Sequence, residues 1–131
     1  MAAYIDRGDV QFTYKYMLND PANSPAAAEA TECAAEQGKF WAYKGTVYDH
    51  FNNRPYPRAS LKQWAKNLNL DTETFNACFD SGKYRKQVQN QSAEGTKAGV
   101  TGTPTFFING KMVVGFDPQK IFATIDAELK K

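Results

Sequence analysis

Residues 99–115 read GVTGTPTFFINGKMVVG, and the rest of the chain is placed relative to them. Two apolar runs, TFFI at 105–108 and KMVV at 111–114, are separated only by Asn109-Gly110. Both residues of that dipeptide tolerate the positive φ that a two-residue hairpin turn demands, so a β-hairpin is predicted here, entered through a Gly- and Pro-bearing loop. Downstream, Asp117 is placed to cap a helix with Pro118 at its first position. Ile121, Phe122, Ile125 and Leu129 then recur at helical spacing as its buried face, and Lys130 and Lys131 suit the negative end of its dipole.

Upstream, residues 9–18 read DVQFTYKYML, with Val10, Phe12, Tyr14 and Tyr16 on alternate positions. This alternation predicts a strand with one apolar face. Turn formers follow. Ala26, Ala27, Ala30, Cys33 and Ala34 then occur at spacings of three and four, predicting a helix with a narrow face of small residues. After Gly38, Phe40, Tyr43, Val47, Tyr48 and Phe51 form a bulkier stripe on a second helix, which ends at NNRPYPRA. Ser60 and Gln63 read as a capping box for a third helix carrying Leu61, Trp64, Ala65 and Leu68 inward. Asp71 caps a fourth, with Leu70 and Phe75 as a hydrophobic staple, Phe75, Cys78 and Phe79 inward and Gly82 as its stop. Residues 83–97 are helical in composition, with Tyr84 and Val88 as large inward side chains. The order is strand, a block of helices, hairpin, helix, which is an α/β arrangement in one domain.

Composition narrows the function classes. With 16 Lys+Arg against 14 Asp+Glu, 42% hydrophobic and 23% charged residues, the 131-residue chain reads as a globular domain, not a disordered or collagen-like one. A net charge of +2 lacks the basic bias of a nucleic-acid binder. The apolar runs are too short to span a bilayer, so no membrane partner is expected. The first ten residues, MAAYIDRGDV, lack the pattern of a secretory leader, so the expected location as encoded is cytoplasmic. Two cysteines exclude a four-Cys zinc site, and His50, the single histidine, has no second imidazole to share a metal. Neither metal nor cofactor is expected. The aromatics Phe40, Trp41, Tyr43, Tyr48 and Phe51 read as core and not as a ligand box, and the KYRK run at 83–86 as a solvated helix start.

The stretches AAEATECAAEQGKFWAYKGTVY, LDTETFNACFDSGKY and above all GVTGTPTFFINGKMVVG resemble the DsbA-like thiol-disulfide oxidoreductases of the thioredoxin superfamily. The resemblance runs from Tyr4 to the last helix. It implies a truncated thioredoxin-like fold in which residues 25–98, approximately, are a helical insertion, with 1–24 and 99–131 as the remaining thioredoxin elements. It also implies a cis Thr103–Pro104 bond in a loop that contacts extended peptide, making Thr103 and Pro104 the candidate binding residues. Members of that family carry, ahead of the strand that resembles 9–18, another strand leading into a Cys-x-x-Cys pair at a helix start. Met1 falls at what would be the end of that helix.

Cys33 and Cys78 do not replace that pair, since 78 − 33 = 45 positions separate them on two different helices, whereas the exchange chemistry needs a low-pKa thiol with its partner two residues on. Three readings of the two residues are open: a structural disulfide between insert helices in an oxidising compartment, a reactive pair, or two small buried side chains. The absent strand would lie between the 10–18 strand and the 105–108 strand. The remaining strands could then close up, a second copy could fill the place, or another chain could supply the piece. The function expected is a non-catalytic binding or assembly module. The alternative is part of a thiol-disulfide oxidoreductase whose Cys-x-x-Cys lies upstream or on another chain. The expected partners are a peptide or protein at the Pro104 loop and a second copy, forming a homodimer through the strand from Val10 to Leu18.

Overall fold

The computed structural model describes residues 2–18 and 24–131. Alanines set its centre. Helix α2 (Ser24–Ala35) presents Ala27, Ala30, Cys33 and Ala34, all buried, and side chains this small let four neighbours approach it closely. Those neighbours are α3 (Phe40–Asp49), α4 (Arg58–Asn67), α5 (Thr72–Ser81) and α6 (Arg85–Lys97). Tyr43, Leu61, Phe75 and Phe79 fill the space between them and are fully buried. The Tyr43 hydroxyl donates to the Leu61 carbonyl at 2.8 Å, which satisfies the one polar atom that such a ring brings into the core.

Helix ends follow the local chemistry with one exception. Asp71 accepts from the Thr74 N–H at 2.8 Å, and Gly82 closes α5 at φ 65°, a left-handed conformation that favours glycine. The capping box expected at Ser60 and Gln63 does not form. α4 begins three residues earlier, with Pro57 at the N-cap, whose carbonyl takes the Ser60 N–H, and Gln63 bonds Asn67 instead. A further short helix, α1 (Ala2–Asp6), is absent from the sequence reading. A single 3-10 turn (Phe51–Asn53) follows α3.

Three more readings are corrected. Residues 10–18 form no strand and pair with no other strand among the described residues. The alternation marked the buried side only in part: Tyr16 is buried and Val10 and Tyr14 half-buried, but Phe12 is exposed. Side chains of α6, however, take the backbone groups: Gln91 Oε1 accepts from Tyr16 N–H and Ser92 Oγ from Leu18 N–H, both at 3.1 Å. Gly95 is what lets α6 come this close, because a Cβ there would lie 2.9 Å from Met17 Sδ. The KYRK run is not merely solvated: Lys83 and Tyr84 bind Glu36, and Arg85 lies 3.4 Å from Glu29, so the run fastens α6 to α2. Of the aromatic stripe, Trp41, Tyr48 and Phe51 are exposed and not core.

The hairpin closes the molecule. β1 (Thr105–Ile108) pairs antiparallel with β2 (Lys111–Val114), Phe106 opposite Val113 and Phe107 opposite Met112, around Asn109 and Gly110 at φ 49° and 85°. Val113, Phe106 and Ile108 pack on Ile121 and Ile125 of α7 (Pro118–Leu129). Among the described residues, seven helices and this two-stranded sheet make an α/β, thioredoxin-like arrangement with a helical insertion. No helix among them is long and apolar enough to cross a membrane.

Candidate functional site

The loop that enters the hairpin is built by a few short-range bonds. Thr105 Oγ1 donates to the Gly102 carbonyl at 2.7 Å, and the Pro104 carbonyl accepts from Gly115 N–H at 2.8 Å, so Pro104 sits at the base of the hairpin. The Thr103–Pro104 peptide bond is cis, and both residues are at the surface. β1 continues from them and pairs only with β2, so its other edge borders no strand among the described residues.

The pleat divides the hairpin into two apolar faces. One face rests on α7. The other carries Phe107 and its cross-strand partner Met112, then Val114, and leads to Phe116, which is 74% exposed. A sheet apolar on both faces is the pattern of a covered sheet, yet among the described residues only one face is covered. Four large apolar side chains are thus exposed beside an exposed proline loop and a β1 edge that no described strand pairs. The hairpin itself is held firmly. Glu128 of α7 bonds Lys111, Lys131 and Asn109, the first at 2.6 Å, and these bonds hold its carboxyl well below the usual range, at about 2.

Cys33 and Cys78 lie elsewhere, joined as a disulfide that ties α2 to α5 with 5.9 Å between their Cα atoms. Both are buried in the insert core, which separates them from the Pro104 loop in the fold as well as in sequence. His50 is occupied structurally: Nδ1 lies 2.8 Å from the Thr46 carbonyl and the ring stacks on Trp64. Among the described residues no group of three or more His, Cys, Asp or Glu is arranged to hold a metal ion. Sequence reasoning located Thr103 and Pro104 but missed the bare row of Phe107, Met112, Val114 and Phe116. The signal for it was the near-continuous apolar run on both strands.

Known proteins give the same picture over nearly the whole length. The family described as Thioredoxin matches residues 1–127. The chain is 32% identical over 120 residues to a Na(+)/H(+) antiporter NhaA of Herminiimonas arsenicoxydans, covering 91% of this chain and 19% of that protein. It is 27% identical over 134 residues to disulfide bond formation protein D of Bacillus subtilis, covering 97% of this chain and 60% of that protein. It thus spans about a fifth of the antiporter and three fifths of the disulfide bond formation protein. No solved structure matches the chain significantly. With the hairpin, the proline loop, the inserted helices and a family match over residues 1–127 in agreement, the chain belongs to the thioredoxin family, on its DsbA-like branch.

Proposed function

We propose that this chain binds extended polypeptide across the Thr103–Pro104 loop and the edge of β1, and that its own residues carry out no disulfide exchange. The observation that supports the reading is that no described strand pairs with the outer edge of β1, beside the exposed Phe107, Met112, Val114 and Phe116. A strand added there gains backbone hydrogen bonds from the edge and side-chain burial on the apolar row. No Cys-x-x-Cys occurs in the 131 residues, and the two cysteines present are bonded to each other in the core. The bridge favours an oxidising compartment as the working location, against the cytoplasmic expectation.

The test is a titration with carboxymethylated, unfolded ribonuclease A, read by amide chemical shifts. Shifts confined to residues 103–108 and 112–116, lost in Phe107→Asp, are expected. Shifts elsewhere, or none, would overturn the reading. In parallel the protein should not accelerate insulin reduction by dithiothreitol, and turnover above background would mean that Cys33 or Cys78 exchanges. A homodimer through Val10 to Leu18 is a separate proposal, although the Tyr16 and Leu18 N–H groups already bond α6: light scattering on the free protein should give the mass of two chains, and a monomer would remove it.

A second reading is favoured by the greater length of the relatives: these residues are the polypeptide-holding part of a thiol-disulfide oxidoreductase whose Cys-x-x-Cys lies outside them. The reading frame ahead of residue 1 separates the two. A strand leading into Cys-x-x-Cys there supports the oxidoreductase, and its absence supports the binding module.

A further inference from the structure

Residues 14–18 and α3 line a half-open cavity of about 140 Å3 that the polypeptide reading does not use. Its aromatic walls are Tyr14, Tyr16, Tyr48 and Phe51, and two cations, Lys44 and Arg54, line it as well. Among the described residues no carboxylate does. A cavity of about 150 Å3 is enough to take a benzene ring.

Lys44 is unusually placed. Its Nζ lies 4.4, 5.3 and 5.1 Å from the ring centres of Tyr14, Tyr16 and Tyr48, so three ring faces surround one ammonium. Among the described residues it forms no ion pair, and neither does Arg54, whose guanidinium lies over the Phe51 ring at 4.0 Å and bonds the Phe51 carbonyl. Glu32 is the nearest acid in electrostatic terms, and its Oε1 already accepts from the Tyr16 hydroxyl at 2.9 Å. Burial pushes the Lys44 ammonium down to about 8, which is what a cation lacking a close counterion undergoes. At the rim, Tyr48 and Phe51 are half or more exposed, each with one ring face on a cation.

We propose that this cavity binds a small carboxylic acid with an apolar or aromatic body, its carboxylate taken by Lys44 and Arg54 and its body by the tyrosine and phenylalanine walls. The acid supplies the close counterion that Lys44 and Arg54 lack among the described residues. That chemistry could come from a free organic acid or from the last residue of a polypeptide, whose carboxylate and apolar side chain have the same form.

Three probes test it on the full chain by amide shifts: 3-phenylpropionate, acetyl-Gly-Phe with a free carboxylate, and the neutral 3-phenylpropionamide. Saturable shifts at Tyr16, Leu18, Lys44 and Tyr48 are expected with the first, with the amide binding about tenfold or more weakly because it lacks the charge-assisted bonds. Acetyl-Gly-Phe binding as well identifies a polypeptide terminus as a source, and its failure restricts the site to free acids. Lys44→Met and Arg54→Gln should each weaken 3-phenylpropionate by about tenfold. Arg54 is exposed, so its variant keeps the test valid should the Lys44 variant unfold.

The acid's advantage over the amide should shrink as pH rises past 8. The groups facing Lys44 are Glu32 of α2, Tyr14 and Tyr16 of the 10–18 segment, Tyr48 of its own helix, and Arg54. Burial holds the Tyr14 and Tyr16 phenols far above neutrality, so the charge change belongs to Lys44. Equal binding of acid and amide, or no saturable shift with 3-phenylpropionate at tens of millimolar, would overturn the proposal.

Discussion

The insert and the hairpin region are similarly apolar in sequence and differently covered in the fold. In the insert, Tyr43, Leu61, Phe75 and Phe79 are sealed among five helices and a disulfide crosses the core. Around the hairpin, Val113, Ile121 and Ile125 are the buried residues of their cluster, with Phe106, Ile108 and Phe122 only partly covered. Phe107, Met112, Val114 and Phe116 meet solvent. Buried apolar area is what stabilises a domain. The insert therefore supplies most of the stabilising burial, and the hairpin leaves apolar surface exposed.

The sharpest way to break this contrast is to hollow out each cluster. Phe75→Ala should cost about 3–5 kcal/mol, because a fully buried ring flanked by Tyr43 and Phe79 leaves a cavity that helices pinned to α2 cannot collapse. Ile125→Ala in α7 should fall near the lower end of the range for aliphatic truncations, since its half-open neighbours can settle inward. Urea denaturation of both variants checks the order. A larger loss at Ile125 than at Phe75 would reverse the assignment of stability to the insert.

Next in size is the bridge. Replacing both cysteines, Cys33→Ala with Cys78→Ala, opens a loop of 45 residues and should cost roughly 3–4 kcal/mol in the chain-entropy account. The loop lies wholly within the insert. Tryptophan fluorescence, which reports Trp41 and Trp64 there, should therefore shift its midpoint. Amide exchange at Val113 and Ile121, in the hairpin cluster, should change less. Equal loss of protection in both regions would show that they unfold as one unit.

How far the fold was legible depended on whether a local pattern had its partners nearby. Asn109-Gly110, Asp71, Gly82 and Asp117 fix their conformation within a few residues, and each acts as its local chemistry directs. The 10–18 segment shows the opposite case. Alternation says which side faces in, but a strand also needs a neighbour at hydrogen-bonding distance, and the groups that replace it, Gln91 and Ser92, lie more than seventy positions away. Ser60 failed for a related reason: Pro57 and the Arg58 guanidinium, 3.9 Å over the Phe79 ring, start α4 earlier than the Ser-Gln spacing suggests. At the candidate site, Thr103 and Pro104 were marked by the motif. Exposure of Phe107 and Phe116 is a statement about what does not cover them, which no short pattern encodes. Lys44 was passed over because two of its three tyrosine neighbours, Tyr14 and Tyr16, come from a segment about thirty positions away.

The smallest expected effect tests the contrast most directly, because the same device occurs in both regions. Asp71 caps α5 by accepting from Thr74 N–H, and Asp117 caps α7 by accepting from Lys120 N–H at 3.0 Å. Around Asp71 the backbone is clamped again. Gln37 Oε1 accepts from Asp71 N–H at 2.8 Å, and Gln37 Nε2 donates to the Asp71 carbonyl at 3.2 Å, so the turn after α2 holds the start of α5 even without the carboxylate. Asp117 has no second clamp of this kind among the described residues. Asp117→Ala should therefore cost about 1 kcal/mol and speed amide exchange at Lys120 and Ile121 as the first turn of α7 frays. Asp71→Ala should lower the denaturation midpoint slightly while leaving exchange at Thr74 and Phe75 close to that of the unaltered protein. If Thr74 and Phe75 exchange as fast in Asp71→Ala as Lys120 and Ile121 do in Asp117→Ala, the insert is no more tightly held than the hairpin region, and the difference in burial between them does not translate into a difference in rigidity.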